Sequence, residues 1–327
     1  MVGCSGAGIL ADGVEIDDGP AVGVLAVATD AFRATPFLFH GGQDLGLTAG
    51  REAGARFNGS RDRGDLVLAW PDPAHVRPDR FLQGVGSALG GVPVAGGAAA
   101  GRDASSPVFL LCGSEVAEAS VSGLRLSGRF RYRVAITQGC RPLTGPLVVT
   151  RAQGNLVLEI EGRPPLEVLA EVAPAGLLDR RDEAFDRLFV GLLPGGGSLP
   201  PAGGGYLVRS ILTADDDTGV IGIAGEVEDG ESILFASREG DSAREDLSRV
   251  LASVRAGDRV AWRFGLYFDC LARGRTLYGE PGVDAAILAE ALPEVPILGF
   301  HCAAEMAPLG GTNHVHTYSG VLVLVGE

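Results

Sequence analysis

Short runs of β-branched and aliphatic residues, each ended by a Gly, Pro or Asp cluster, recur along the whole chain and predict strands. They fall at Val22–Ala28, Asp65–Trp70, Val92–Val94, Pro107–Leu111, Tyr132–Thr137, Leu147–Thr150 and Leu156–Ile160. Further runs lie at Tyr206–Leu212, Val220–Ile223, Ser232–Ala236, Val260–Phe268, Pro296–Phe300 and Tyr318–Val325. Apolar positions at helical spacing predict helices over Gly42–Phe57, Pro78–Leu89, Arg181–Leu192, Ser242–Val254 and Val283–Leu292. Pro78 followed by Asp79 suits a first turn. Ser242 with Glu245 reads as a capping box, ahead of one stripe of Leu247, Val250, Leu251 and Val254. Strands interleaved with helices predict an α/β protein with mixed β-sheets flanked by helices.

The order of elements repeats. A strand, a helix, and a strand running into a small-residue loop occupy 65–101, with the loop at Gly96–Gly101. The same order occupies 260–305, with the loop at Gly299–Glu305. The pattern predicts two related domains, 1–137 and 138–327, with the boundary near Gln138-Gly139-Cys140-Arg141-Pro142. The Gly- and Pro-rich stretch Pro194–Gly205 reads as a loop inside a domain, because strand patterns continue on both sides. Residues Val2–Gly8 resemble the end of a third copy without its first strand and helix. The expectation is a trimmed N-terminus and a partly unpaired strand at Val2–Gly8 or Val22–Ala28.

Composition narrows the chemistry. The 327 residues carry 27 basic and 41 acidic side chains, for a net charge of −14. Nucleic acid and anionic membrane surfaces are disfavoured as partners. All of the basic residues are Arg, so Schiff-base, Walker A and protein-kinase lysine chemistry is excluded. The five cysteines show no C-x-x-C spacing, which points away from a disulfide framework or zinc site and towards a reducing, cytoplasmic compartment. No apolar run approaches the length of a membrane span, and the first residues lack the charged start of a signal peptide.

Several segments together resemble the FIST family (F-box and intracellular signal transduction). In the N-terminal half these are Gly3-Cys4-Ser5-Gly6-Ala7-Gly8, Glu15-Ile16 before Pro20-Ala21-Val22, Ala95-Gly96-Gly97-Ala98 and Leu111-Cys112-Gly113-Ser114-Glu115. In the C-terminal half they are Gly139-Cys140-Arg141-Pro142, Val149-Thr150-Arg151, and Gly154-Asn155 with Leu158–Pro164. The most specific is Phe268-Asp269-Cys270-Leu271-Ala272-Arg273-Gly274, followed by Pro296–Phe300 and Ala304-Glu305. Their order covers nearly the whole chain. The resemblance implies a sensory module for a small ligand, an amino acid or related metabolite, with a signalling protein as partner and no catalysis. The chain departs from the pattern in lacking the first strand and helix and any fused kinase, cyclase or F-box segment.

Ligands gather at the carboxyl ends of strands in open α/β sheets. Cys270, Arg273 and Gly274 lie after one strand, Gly299 and Glu305 on and after another, and Gly96 and Gly97 in the matching loop, so these are the candidate ligand-binding residues. Arg273 suits a carboxylate through two parallel hydrogen bonds, and Glu305 suits an amine. The plainer alternative pairs Arg273 with Glu305 and leaves Cys270 a small buried hydrophobe. An enzyme using Cys270 with His301, His314 or His316 as base is the rival reading, and a mainly structural subunit a third. His314 and His316 alternate as a metal pair would, with His301-Cys302 upstream, yet no third ligand can be placed. Gly3-Cys4-Ser5-Gly6-Ala7 falls one glycine short of a nucleophile elbow. Gly84-Val85-Gly86-Ser87 lies inside a helix pattern and is no dinucleotide fingerprint. Asp215-Asp216-Asp217 reads as a turn, with cation binding the alternative. Nothing here calls for a cofactor.

Overall fold

The computed structural model describes residues 1–40, 45–57, 65–103, 106–196, 205–257 and 260–327. The first part of the chain forms β1 (Val2–Cys4), β2 (Ile9–Ala11), β3 (Val14–Ile16), β4 (Phe32–His40), α1 (Leu45–Phe57), β5 (Leu66–Pro71), α2 (Pro78–Leu89) and β6 (Val94–Gly97). Strands β7 (Leu110–Cys112), β8 (Glu115–Ala117), β9 (Ser120–Gly128) and β10 (Arg131–Gln138) follow. The middle holds β11 (Cys140–Pro142), β12 (Leu147–Gln153), β13 (Leu156–Ile160), α3 (Pro165–Val172), α4 (Arg181–Arg187), β14 (Leu188–Leu193), β15 (Leu207–Ala214), β16 (Ile221–Ile223) and β17 (Ser232–Arg238). The last part is α5 (Gly240–Gly257), β18 (Trp262–Cys270), α6 (Arg275–Tyr278), α7 (Val283–Ala291), β19 (Ile297–Cys302), β20 (Glu305–Leu309), β21 (Thr312–His316) and β22 (Ser319–Gly326).

Two compact units result. One joins Met1–Thr137 to Leu247–Glu327, and the other is Gln138–Asp246. The residue at which the sequence pattern divides the chain thus begins the second unit, and the residues from 247 onward pack with the N-terminal part.

The first unit is built in layers. One sheet has the order β21-β20-β6-β5-β9-β4 and the other β3-β2-β19-β18-β22-β10. Each centres on a parallel pair with a helix between its strands, β5 with β6 and β18 with β19. An antiparallel strand flanks each pair, β9 beside β5 and β22 beside β18. A hairpin completes each sheet, and it is supplied from the far end of the chain. Strands β20–β21 extend the sheet of β6, and β2–β3 extend the sheet of β19. Leu66, Leu68 and Trp70 meet Phe264, Phe268, Val321 and Val323 between the two sheets. Helices α1 and α2 cover the outer face of one sheet through Ala49, Ala53, Phe81 and Val85. Leu247, Leu251 and Leu288 cover the other. Burial on both faces explains why the β5 sequence Leu-Val-Leu-Ala-Trp-Pro is continuously apolar and does not alternate. A small third sheet has the order β1-β7-β8.

The second unit is an antiparallel sheet that closes on itself, because β17 pairs with β12 on one edge and β14 on the other. Val149, Val157, Leu188, Val190, Ile221 and Ile233 fill its interior.

Three expectations are corrected. Val22–Ala28 forms no strand; Val22 and Val24 are exposed and no other strand pairs with the segment among the described residues. The helix expected over Arg181–Leu192 ends at Arg187, and Leu188–Leu193 is strand β14, held between β15 and β17. Ser242 does not cap its helix, which starts at Gly240; its hydroxyl donates to Glu239 instead. Residues 42–44 of the first expected helix and 197–204 of the Gly/Pro-rich stretch lie outside the described residues.

Candidate functional site

Successive side chains of a strand point to opposite faces, so the parallel register of β18 and β19 sets two pairs back to back. Asp269 lies beside His301 on one face, and Cys270 beside Cys302 on the other. Both pairs sit at the carboxyl ends of the strands.

On the first face the turn after β18 folds back, with the Arg273 N–H donating to the Cys270 carbonyl at 2.8 Å. This buries Arg273 almost completely, at 2% exposure. Its Nε donates to Asp284 Oδ2 at 2.8 Å, and its Nη2 to Asp284 Oδ1 at 3.0 Å and to the Tyr278 hydroxyl at 2.7 Å. The Tyr278 and Tyr267 hydroxyls donate in turn to Asp284, at 2.7 and 2.9 Å. Asp269 Oδ1 is 3.0 Å from Arg273 Nε, and Asp269 Oδ2 is 3.2 Å from His301 Nδ1. From the exchanged hairpin, β3 contributes Glu15, whose Oε1 is 3.5 Å from His301 Nε2. The result is a buried row of alternating charge, Glu15–His301–Asp269–Arg273–Asp284. Gly274 makes room for it: a Cβ there would lie 3.0 Å from Glu15 Oε1 and 3.3 Å from His301 Cε1, and its φ of +56° suits glycine.

The row sets the protonation of its members. Burial opposes ionisation of Asp284, but Arg273 and the two tyrosine hydroxyls outweigh it and hold the carboxyl below its ordinary range. Burial, with the charge of Asp284, lifts Asp269 to about 6 against the pull of His301 and Arg273. Burial lowers His301, yet Asp269 and Glu15 more than reverse this and raise it to about 10. His301 is therefore a cation at neutral pH. The row holds three carboxyl groups against two cations. Both Glu15 carboxylate oxygens, both of Asp269, Arg273 Nη1 and His301 Nδ1 have no hydrogen-bond partner among the described residues.

On the second face, the single S–H of Cys302 has two acceptors in reach, Glu305 Oε1 at 3.4 Å and the Asp269 carbonyl at 3.2 Å. The N–H of Tyr318 donates to Cys270 Sγ at 3.2 Å. Glu305 Oε2 accepts from the Ser319 hydroxyl at 2.7 Å and the Ser319 N–H at 3.3 Å. Burial pushes Glu305 up to about 8, and the charge of Asp269 adds to this against the Ser319 hydrogen bonds. Burial also raises the Cys270 and Cys302 thiols, and Glu305 raises them further.

The candidate residues are thus brought into one region but with altered roles. Arg273 pairs with Asp284 and Asp269, so its two-pronged face is already engaged, and Glu305 is not its partner. Glu305 holds its proton at neutral pH and faces Cys302, so it presents no anion to an amine. Glu305 is the register partner of Gly97, and Gly97 lies tight against Cys302, where a Cβ would come within 2.9 Å of the sulfur. Gly96 and Gly299 allow close strand contact with Ala69 and Tyr267. These glycines pack against the neighbouring strands. A groove of about 360 Å³, lined by Leu10, Gly13, Leu288, Leu292 and Ile297 among others, lies at the opposite end of β19.

Glu15 and Asp269 entered the sequence reading only as parts of family-like segments, with no site role, and Asp284, Tyr267 and Tyr278 did not enter it. Asp269 and Asp284 carried a signal, as lone acids ending an apolar strand and opening an apolar helix. Glu15 carried none, because its place depends on the hairpin exchange. His316 bonds the Ala307 carbonyl at 3.2 Å, and among the described residues no group of His, Cys, Asp and Glu is arranged to hold a metal. Asp215 Oδ1 accepts from the Asp217 and Thr218 N–H groups and the Thr218 hydroxyl, the turn expected there. No helix among the described residues is long and apolar enough to cross a membrane.

Comparison with known proteins agrees with the resemblance in the sequence. The FIST N domain matches residues 1–163 and the FIST C domain residues 165–308. An uncharacterized protein of Mycobacterium tuberculosis is 31% identical over 328 residues, covering 99% of this chain and 83% of that protein. An uncharacterized protein of Mycobacterium bovis is 33% identical over 329 residues, covering 99% of this chain and 82% of its own. The α/β chain with its buried charge row therefore belongs to the FIST family, whose domains are associated with sensing in signal transduction.

Proposed function

We propose that the chain is a cytoplasmic sensory protein that binds a small amine-bearing metabolite, such as an amino acid, at the carboxyl ends of β18 and β19. Binding is relayed to a signalling protein partner without chemical turnover. The observation that carries this reading is that Glu15 Oε2 and Arg273 Nη1 are buried with no hydrogen-bond partner among the described residues, while the remaining Glu15 and Asp269 oxygens are held by ion pairs alone. A buried polar group without a partner costs about 1–3 kcal/mol. A ligand with an ammonium for Glu15 and Asp269, and an acceptor for Arg273 Nη1, offsets that cost, and the excess of carboxyl groups favours a cation. The competing reading, a thiol enzyme using Cys270 and His301, has less support. His301 is held protonated, engages Asp269 and Glu15, and lies on the opposite strand face from Cys270.

The test is thermal unfolding of the full chain with amino acids and other small amines, alongside mass spectrometry of metabolites released from natively purified protein. A ligand at a hundred times its Kd adds about 2.7 kcal/mol to stability. The expected result is a shift with one class of amine that is lost in a folded Glu15→Gln variant. A shift that survives in Glu15→Gln, or no amine that binds at all, refutes the proposal.

A further inference from the structure

From the face opposite the charge row, we infer that Cys270 and Cys302 form a reversible dithiol–disulfide switch oxidised by a hydroperoxide. The inference does not depend on the ligand reading above. The two cysteines end neighbouring parallel strands and are direct register partners on one face. Adjacent strands run about 4.7–4.9 Å apart, inside the span of Cα separations that a disulfide bridges, about 4.4–6.8 Å. Both are free thiols, and both are buried. Each is nevertheless followed at once by an exposed residue just past its strand, Leu271 after β18 and Ala303 after β19. A molecule as small as a peroxide can reach the pair on local opening of the strand ends.

Glu305 supplies the proton chemistry. Burial keeps both thiols protonated, so a thiolate must be generated in place, and Glu305 Oε1 already lies in reach of the Cys302 S–H. A carboxyl group poised near neutrality suits a general base. In the first step, in those molecules whose Glu305 is ionised, Cys302 gives its proton to Glu305 and its sulfur attacks a peroxide oxygen. The O–O bond breaks, an S–O bond forms, and the departing oxygen takes the proton from Glu305 and leaves as water, or as an alcohol from an organic peroxide. In the second step the Cys270 sulfur attacks the sulfenic sulfur. The S–S bond forms, the S–O bond breaks, and the hydroxyl leaves as water with the Cys270 proton. Two thiols are oxidised and one peroxide is reduced. A small thiol reductant reverses the bond by exchange. The bond ties the ends of β18 and β19 directly beneath the turn that carries Arg273, so oxidation stiffens the region that holds the charge row.

The test uses the full chain with Cys4, Cys112 and Cys140 replaced by Ser, which leaves only the pair. The folded protein is treated with hydrogen peroxide, remaining thiols are alkylated, and an Arg-specific digest is read by mass spectrometry. The expected result is a cross-linked peptide joining Cys270 to Cys302 that is lost on adding dithiothreitol. The wild-type chain should give the same cross-link, and its formation should slow in Glu305→Gln. Cys270→Ala should instead accumulate oxidised Cys302 without a cross-link. If the folded chain gives only separately oxidised or alkylated thiols, or cross-links only after denaturation, the switch is refuted.

Discussion

Replacing Arg273 by Ala is the sharpest test of the charge row. Arg273 makes two hydrogen bonds to Asp284 and one to Tyr278, and its Nε also lies 3.0 Å from Asp269. Arg273, Asp269 and Asp284 are each at most 2% exposed. Removing the cation leaves Asp284 buried without its counter-charge and Asp269 with His301 alone, and breaking a buried pair from one side costs about 3–5 kcal/mol. At roughly 2–4 °C per kcal/mol for a unit of this size, the melting temperature should fall by roughly 6–20 °C. Arg273→Lys should recover only part of this, because an ammonium cannot reproduce the planar contact with both Asp284 oxygens. Asp284→Asn should be costly alone, but in combination with Arg273→Ala the two losses should add to much less than their sum. Urea unfolding followed by tryptophan fluorescence is the assay, since Trp70 and Trp262 both lie in the unit that contains the row. A folded Arg273→Ala chain within about 1 kcal/mol of wild type, the worth of one neutral hydrogen bond, refutes the ionic row as a structural element.

Two other outcomes follow from the geometry. Asp269, Glu305 and His301 all hold their protons more tightly in the fold, at about 6, 8 and 10. Each therefore contributes stability below its ordinary range that is lost as pH rises through its folded value. Thermal melts should show stability falling from pH 6 to pH 10, with Glu305→Gln flattening the fall around pH 8; a rise over that interval refutes the assignment. Gly96→Ala should unfold or severely destabilise the chain, because a Cβ there runs into the Ala69 carbonyl on the paired strand. A normal melting curve for that variant would show the β5–β6 contact to be looser than described.

Legibility in the sequence tracked how local each signal was. Strands β5, β18 and β22 are apolar runs that carry their own evidence, and α2 announces itself with Pro78. Strand β4 was not legible, since Pro36 in its middle argues against a strand; it is tolerated because β4 forms the edge of its sheet. Val22–Ala28 has the alternation of a strand and no partner to pair with, which no periodicity can reveal. The same limit applied to the charge row. Arg273 was visible as a lone cation in a turn after a strand, whereas Asp284, His301 and Glu15 come from a helix, a neighbouring strand and the far hairpin, and only the fold brings the row together.

The exchange of hairpins also sets the order in which the molecule can be completed during synthesis. Gly97 pairs with Glu305, and Leu10 with Gly299. Strand β6 is made early, yet its outer edge is covered only when β20 and β21 leave the ribosome, about two hundred residues later. Until then β6 presents unpaired backbone groups, the kind of edge at which chains aggregate. Hairpin β2–β3 must likewise wait, with Glu15 unplaced, for β19. Pairings of such sequence separation are slow to form. Nascent chains paused before Glu305 should therefore be clients for chaperones, and the first unit should acquire its protease resistance in one step once β19, β20 and β21 have emerged.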